Sequence, residues 1–464
     1  MTKFDLIVLG SGSAGMAAAR RARKLGASVA LVEKDVLGGE CPNSACVPAK
    51  ALLRAAQVIE EIRRAGEFGI RVGEPCADWP GVRGRVLEII GAHEGEAPTE
   101  ARLKKEGIAL FRGDGAFSAG DTVRVGYHSL TAHRFIVASG SFDAIPPIEG
   151  LKDAGFLTHK DVLNLETLPR SLAIIGAGPV GVEFAQIFAP LGVQVTLLMS
   201  GPLPLPREDH AISRTLLNCL RESGIRVEAG VRVEGVLRHG STKRLCVADG
   251  KDGFEIEVEE IFTATGHPPF VTGMNLEKAG VEADESGIST DKHLRTTAEQ
   301  IWSAGDVTGV ALYTHVASYQ AKLAAHNALC SRDSGRTLLE ADYRVIPRVT
   351  FCRPEVASVG LTEEECLVQE LDYRAASAPF HDIERATISG ESAGLAKLLV
   401  EASSGQILGA HVIGAHAGEL IHEIAPLMQN RIPASGIGCT IHAFPTFSEI
   451  WEAAALKLDG ENNG

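Results

Sequence analysis

Two strand–turn–helix signatures, about 166 residues apart, constrain this 464-residue chain more than any other feature. In the first, the apolar, β-branched stretch Phe4 to Leu9 runs into Gly10-Ser11-Gly12-Ser13-Ala14-Gly15, then an Ala/Arg-rich helical stretch from Met16 to Lys24. In the second, Ser171 to Ile175 runs into Gly176-Ala177-Gly178-Pro179-Val180-Gly181, then a helical stretch from Val182 to Leu191. An isolated G-x-G-x-x-G is often only a turn, but one that follows a strand and opens a helix marks a dinucleotide site. The first glycine permits the tight turn. The second lets the backbone approach a pyrophosphate, and the third lets helix and strand pack closely. The helix N-terminus then offers unpaired N–H groups and positive potential to the phosphates. Gly10, Gly12, Ser13, Ala14 and Gly15 are thus expected to hold one dinucleotide, and Gly176, Gly178, Pro179, Val180 and Gly181 another.

The residue that meets the ribose discriminates between the two sites. Ala27 to Val32 reads as the next strand, and it ends in Glu33 and Lys34, 18 residues after Gly15. A carboxylate at that point holds ribose hydroxyls. The same count from Gly181 reaches Met199, followed by Ser200, after the strand Val193 to Leu198. A carboxylate there would repel a 2′-phosphate, so its absence points to NADP(H), with Arg207 further along as a phosphate contact. The alternative is that Met199 merely packs and NAD(H) serves as well.

Cysteine usage carries the chemistry. Of nine cysteines, seven are scattered singly. In a reducing compartment these are expected to be small buried hydrophobes. The exception is the stretch Gly38-Gly39-Glu40-Cys41-Pro42-Asn43-Ser44-Ala45-Cys46-Val47-Pro48-Ala49-Lys50. A metal reading needs further ligands nearby, and none is present, so no metal site is expected. Cys46 stands at the start of a long helical stretch, about Val47 to Arg64, where the dipole favours thiolate. One exposed thiol beside one stabilised thiolate makes a good exchange pair.

Further motifs follow in order: Ala138-Ser139-Gly140-Ser141 with Pro146-Pro147, Ala264-Thr265-Gly266, Ser303-Ala304-Gly305-Asp306-Val307, Pro354-Glu355-Val356-Ala357-Ser358-Val359-Gly360-Leu361-Thr362-Glu363, and Pro445-Thr446-Phe447-Ser448-Glu449. On these residues, and over essentially its whole length, the chain resembles the flavoprotein pyridine nucleotide-disulfide oxidoreductases. That family includes dihydrolipoamide dehydrogenase, glutathione reductase and mercuric reductase. The resemblance implies an α/β fold with two Rossmann-like dinucleotide-binding domains, for FAD and NAD(P), and a C-terminal α+β dimerisation domain. The expected division is 1–148 and 270–341 for the FAD-binding and central parts, 149–269 for NAD(P), and 342–464 for the interface.

The resemblance also implies roles. Gly39, Lys50, Gly115, Ser139, Gly140, Asp306 and Thr314 would join the first glycine turn, Glu33 and Lys34 around FAD. Glu183, Met199, Ser200 and Gly266 would join the second around the nicotinamide nucleotide. Cys41 and Cys46 would form a redox-active disulfide, Cys46 facing the flavin and Cys41 meeting the substrate. Lys50 would pair with Glu183. The enzyme would be a homodimer whose partner subunit completes each active site, moving electrons between NAD(P)H and a thiol or disulfide as dihydrolipoamide dehydrogenase does. One alternative is mercuric-reductase-like reduction of a metal ion or soft electrophile; another is electron exchange with a protein partner.

The departures from the family are as informative. Disulfide-reducing members carry a histidine before Pro-Thr as acid–base, oriented by a glutamate five residues on. Here that residue is Phe444, with Glu449 retained five residues later. His442 stands two residues earlier, and in an extended segment would face the same way as Phe444. It is the candidate substitute base. Arg207-Glu208-Asp209 with Ala211-Ile212 is similar to mercuric reductase, but the last cysteine is Cys439 and the tail carries no cysteine pair. Pro179 stands where many relatives have tyrosine, Ala45 where glycine is usual, and His267 where arginine commonly follows Ala-Thr-Gly. A net charge of −14 argues against nucleic acid or an anionic membrane as the partner. No run is long and apolar enough to span a bilayer, and no secretory pattern opens the chain, so a cytoplasmic enzyme is expected.

Overall fold

The computed structural model describes residues 2–92, 99–330 and 337–460. The tail at 461–464 lies outside the described residues. The chain packs as two compact units. One comprises Met1–Pro48, Gly84–Ala144 and Gly266–Asp342; the other comprises Ala49–Arg83, Ile145–Thr265 and Tyr343–Gly464.

The first unit is built on a seven-stranded sheet. Thr2–Leu9 lies between Val29–Glu33 and His128–Val137, parallel to both. Ile108–Arg112 extends one edge in parallel, the antiparallel strands Thr122–Val125 and Gly115–Ala119 extend the other, and Ile301–Ser303 pairs in parallel with the end of His128–Val137. Leu6, Ile7, Val8 and Leu9 are all buried, as expected of a central parallel strand covered on both faces. Each such side chain contributes about 1.5–3 kcal/mol on leaving water. The helix Ser13–Lys24 packs on one face through Ala18, Ala19 and Ala22, beside Ala317, Ala321 and Ala324 of the helix Thr314–Ala328. Small residues on both let the helices approach closely over the sheet.

The second unit holds three sheets. Four parallel strands run in the order Glu260–Thr263, Ser171–Ile175, Gln194–Met199, Arg226–Ala229. Three antiparallel strands, Arg232–His239, Thr242–Ala248 and Phe254–Val258, form the next. The third is the five-stranded antiparallel sheet Arg348–Thr350, Glu355–Gly360, Ile407–Gly414, Leu395–Glu401, Tyr373–Pro379. The helices Ala417–Gln429 and Glu449–Gly460 supply Leu420, Ile421, Ile424, Ile450 and Trp451 to its core, and the Trp451 indole N–H donates to the Leu420 carbonyl at 2.9 Å.

Both dinucleotide helices start earlier than the apolar pattern indicates, at Ser13 and Pro179 instead of Met16 and Val182. The physical reason is the turn itself. Its third glycine must already be helical to sit against the strand, so Ser13-Ala14-Gly15 and Pro179-Val180-Gly181 are first turns of helix. Among the described residues no helix is long and apolar enough to cross a membrane.

Candidate active site

The two glycine turns repeat one another almost atom for atom. A Cβ on Gly10 would lie 2.2 Å from the Ala138 carbonyl oxygen, and one on Gly176 would lie 2.3 Å from that of Ala264. A Cβ on Gly15 or Gly181 would meet the carbonyl oxygen of Gly10 or Gly176 at 1.8 or 1.9 Å. These glycines close the helix onto the strand. Gly12 and Gly178 differ: a Cβ there meets nothing within 4 Å. Each is the N-cap of its helix, in extended conformation, with no side-chain cap. Each turn therefore presents an open cradle lined by helix N–H groups, the geometry a pyrophosphate requires.

In the first unit the surroundings of that cradle fit FAD. Glu33 ends its strand buried, and accepts the Ser11 N–H at 2.8 Å, the Ser11 hydroxyl at 2.6 Å and the Asp35 N–H at 2.8 Å. A carboxylate has about four acceptor sites, so capacity remains for a ribose hydroxyl. Gly39 approaches so closely that a Cβ on it would lie 2.8 Å from the Gly12 Cα. Ser139 donates through Oγ to the Phe270 carbonyl at 2.7 Å, and the Phe270 N–H donates to the Gly140 carbonyl at 2.9 Å. Lys34 places its ammonium 3.8 Å from the centre of the Phe270 ring. Asp306 opens a short 3-10 turn and accepts the Ser141 hydroxyl at 3.0 Å. Burial pushes its carboxyl up, against the opposing pull of Ser141 and His267. A half-buried carboxyl with so little protein hydrogen bonding suits a ligand hydroxyl. Gly115 is also constrained by packing, since a Cβ there would press on Val32 and Leu9 at 2.9 and 3.0 Å.

The cysteines lie in the same unit. Cys41 sits in the helical turn Glu40–Asn43, tied down by Asn43, whose amide donates to the Leu37 and Gly39 carbonyls at 3.0 and 2.7 Å. Cys46 is the first residue of the helix Cys46–Arg63, with Sγ 3.6 Å from the hydroxyl of Thr314, itself the first residue of Thr314–Ala328. His267 pairs through Nε2 with Asp143 at 3.1 Å.

In the second unit, Lys50 donates to both Glu183 carboxylate oxygens, at 3.0 and 2.8 Å. Glu183 is 5% exposed and Lys50 36%. Glu183 also accepts the Phe351 N–H at 3.0 Å, and the Phe351 ring lies 4.8 Å from the lysine nitrogen. Met199 is buried at its strand end, whereas Arg207 is exposed. Pro179 is exposed and Val180 half-buried at the helix start. Gly266, in the first unit, has a φ of 124° and open space around it.

At the other end of the second unit the extended-chain expectation fails. Phe444 is 70% exposed, whereas the His442 side chain is 5% exposed. Residues 441–443 form no strand, so the two-residue alternation of an extended segment does not apply there. The His442 Nε2 meets Glu423 at 2.8 Å, and Nδ1 lies 3.1 Å from the Thr440 carbonyl and 3.7 Å from Glu452. Glu449 accepts the Thr446 N–H at 2.8 Å. The scattered cysteines also depart from expectation. Only Cys352 and Cys366 are buried, and burial pushes both thiols up. Cys76 and Cys439 are exposed. Pattern reading missed Ser11, Ser141 and Phe351. Ser11 and Ser141 stand inside motifs already singled out; nothing local marked Phe351.

Two dinucleotide cradles, a cysteine pair at a helix start and a separate antiparallel sheet domain define a dinucleotide-dependent dithiol oxidoreductase. Comparison with known proteins makes this specific. Residues 4–321 match the pyridine nucleotide-disulphide oxidoreductase family, and residues 346–455 match its dimerisation domain. The chain belongs to that family of FAD- and NAD(P)H-dependent enzymes. It is 35% identical to a dihydrolipoyl dehydrogenase of Chlamydia muridarum, over 98% of this chain and 97% of that one. It is 32% identical to a mercuric reductase of Bacillus cereus, over 98% of this chain and 72% of that one. Among solved structures, a Cu(II) complex of the HOCl-induced flavoprotein disulfide reductase RclA from Escherichia coli superposes with a TM-score of 0.86. That pair is 27% identical, covering 99% of this chain and all of that one.

Proposed function

We propose that this enzyme carries electrons between NAD(P)H and a thiol or disulfide through a disulfide between Cys41 and Cys46, in the manner of dihydrolipoamide dehydrogenase. The observation that supports it most is the position of Cys46. It opens one helix and lies 3.6 Å from the first residue of another, in the unit that carries the FAD cradle. Helix starts favour negative charge, so the sulfur is suited to hold a thiolate. A bound FAD would supply the redox chemistry that links NAD(P)H to the disulfide. Gly10, Gly12, Ser13, Ala14, Gly15, Glu33, Lys34, Gly39, Gly115, Ser139, Gly140, Asp306 and Thr314 would hold it. Glu183 fixes the Lys50 ammonium. Cys41 would meet the substrate, and the second glycine turn, with Met199 and Ser200, would receive the nicotinamide nucleotide. The missing carboxylate at Met199 and the exposed Arg207 favour NADP(H). The dimerisation domain supports a homodimer in which Phe444 and Glu449 of one subunit complete the other's site. A cytoplasmic location goes with this reading, because reduced thiols and NAD(P)H are available there.

A second reading is supported by Phe444. This side chain cannot take a proton, and His442 is committed to Glu423. Acid–base help to a leaving thiol is worth about 10²–10⁴-fold. Without it, Cys41 is better suited to a soft metal or carbon electrophile than to ordinary disulfide exchange. The test is turnover of wild type, Phe444→His and His442→Ala with dihydrolipoamide and NAD⁺, and with NADPH and lipoamide or Hg(II). Fast dihydrolipoamide oxidation supports the first reading. Slow dihydrolipoamide oxidation that Phe444→His restores, with fast Hg(II) reduction, supports the second. A rapid wild-type rate that collapses only in His442→Ala makes His442 the base and removes the motive for the second.

A further inference from the structure

Four consecutive residues, Arg207 to His210, are each held by a side chain of the dimerisation domain. Arg348 donates through Nη2 to the Arg207 carbonyl at 3.3 Å and through Nε to Glu208 at 2.8 Å. The Ser358 hydroxyl also donates to Glu208. Asp209, fully buried, accepts the Lys397 ammonium at 2.8 Å and the Glu363 N–H at 3.3 Å. Lys397 donates to Glu363 as well, and His210 pairs with Glu364 at 2.7 Å. Asp209 at the same time caps the helix His210–Glu222 by accepting the Ala211 N–H at 2.9 Å.

The other side of this segment reaches the second glycine turn. The Leu205 N–H donates to the Ala177 carbonyl, between Gly176 and Gly178, at 2.9 Å. The Leu205 carbonyl accepts the Glu208 N–H at 2.9 Å and the Ser213 hydroxyl at 3.2 Å. Leu205 is buried with φ at 50°, a backbone state uncommon outside glycine that persists only where its surroundings hold it. A continuous chain of contacts thus runs from Arg348 and Lys397 through Glu208 and Asp209 to the backbone of the nucleotide turn. Apolar packing would give cohesion at lower desolvation cost, whereas paired buried charges fix one register.

We propose that Lys397 and Arg348, both outside the nucleotide-binding segment, are positioning residues for the nicotinamide nucleotide, holding the loop 200–209 in register on the second glycine turn. This rests on the reading of that turn as the nicotinamide site. Loss of the clamp raises KM for NADPH or NADH and leaves FAD content and kcat nearly unchanged. An expected rise on the order of tenfold is below the ~10²-fold that a full ångström of misplacement costs.

The test compares FAD-loaded wild type with Arg348→Gln, Lys397→Arg and the double variant Asp209→Asn/Lys397→Met, which leaves no unpaired charge from that pair. Gly178→Val serves as the control that blocks the turn itself. The expected result is a raised KM in Arg348→Gln and the double variant, near-wild-type KM in Lys397→Arg, and kcat within about twofold throughout the clamp series. An unchanged KM in Arg348→Gln and the double variant, with KM raised in Gly178→Val, overturns the positioning role and leaves the site standing. An unchanged KM in Gly178→Val as well shows that the site reading itself is wrong, and the proposal falls with it. Should the double variant fail to hold FAD, Arg348→Gln alone decides.

Discussion

Replacing Lys50 with methionine would leave the Glu183 carboxylate with one of three hydrogen bonds, that from the Phe351 N–H at 3.0 Å. Removing one member of a fully buried ion pair costs about 3–5 kcal/mol. Glu183 is buried, but Lys50 is 36% exposed, so water can reach the vacated position and the cost should be about half, ~2 kcal/mol. At a urea slope near 3 kcal/mol per molar, that is a midpoint lower by about 0.7 M. Glu183→Gln keeps an acceptor for both donors and should cost only about 1 kcal/mol, the net worth of a typical hydrogen bond. The double variant should cost about 1 kcal/mol less than the sum of the singles, since contacting residues couple. Urea titrations of the FAD-loaded proteins measure all three, and stopped-flow reduction by NAD(P)H reports function in the same samples. Lys50→Met should slow reduction as well as destabilise. A midpoint within 0.1 M of wild type, with reduction unchanged, would refute the reasoning, because the pair would then be two surface charges with no work to do.

Three further outcomes are expected. Gly12→Val fills the open face of the first cradle, so the protein should purify folded but colourless; full flavin occupancy would reject that cradle as the FAD site. Burial raises the Asp209 carboxyl, but Lys397 and His411 outweigh it and hold it below the ordinary range. Its stabilisation is therefore complete above the usual aspartate value and lost as pH falls through the depressed one. Acid unfolding should thus be shallower in Asp209→Asn than in wild type; identical pH profiles would contradict the shift. The dimerisation domain should make the protein sediment as a dimer at working concentration, and a fully active monomer would exclude a shared active site.

Both glycine turns were legible because their geometry is local. Six residues set turn, phosphate approach and helix contact, and Glu33 stands where the strand length puts it. What stayed hidden depends on distant segments. Phe351 reaches Glu183 from 168 residues away, and Arg348 reaches Glu208 from 140. The surroundings of His442 were not legible because a period-2 argument assumes a strand, and residues 441–443 form none. Cys76 and Cys439 were misjudged because composition cannot tell a buried thiol from an exposed one.

The central claim is that Cys41 and Cys46 cycle between disulfide and dithiol. Counting thiols in denaturant, before and after anaerobic NADPH treatment of the FAD-loaded protein, tests it most directly. Of the nine cysteines, seven should titrate before reduction and all nine after, with peptide mapping placing the two new thiols at Cys41 and Cys46. Nine thiols in the air-oxidised protein, or two new ones at any other pair, would contradict the account.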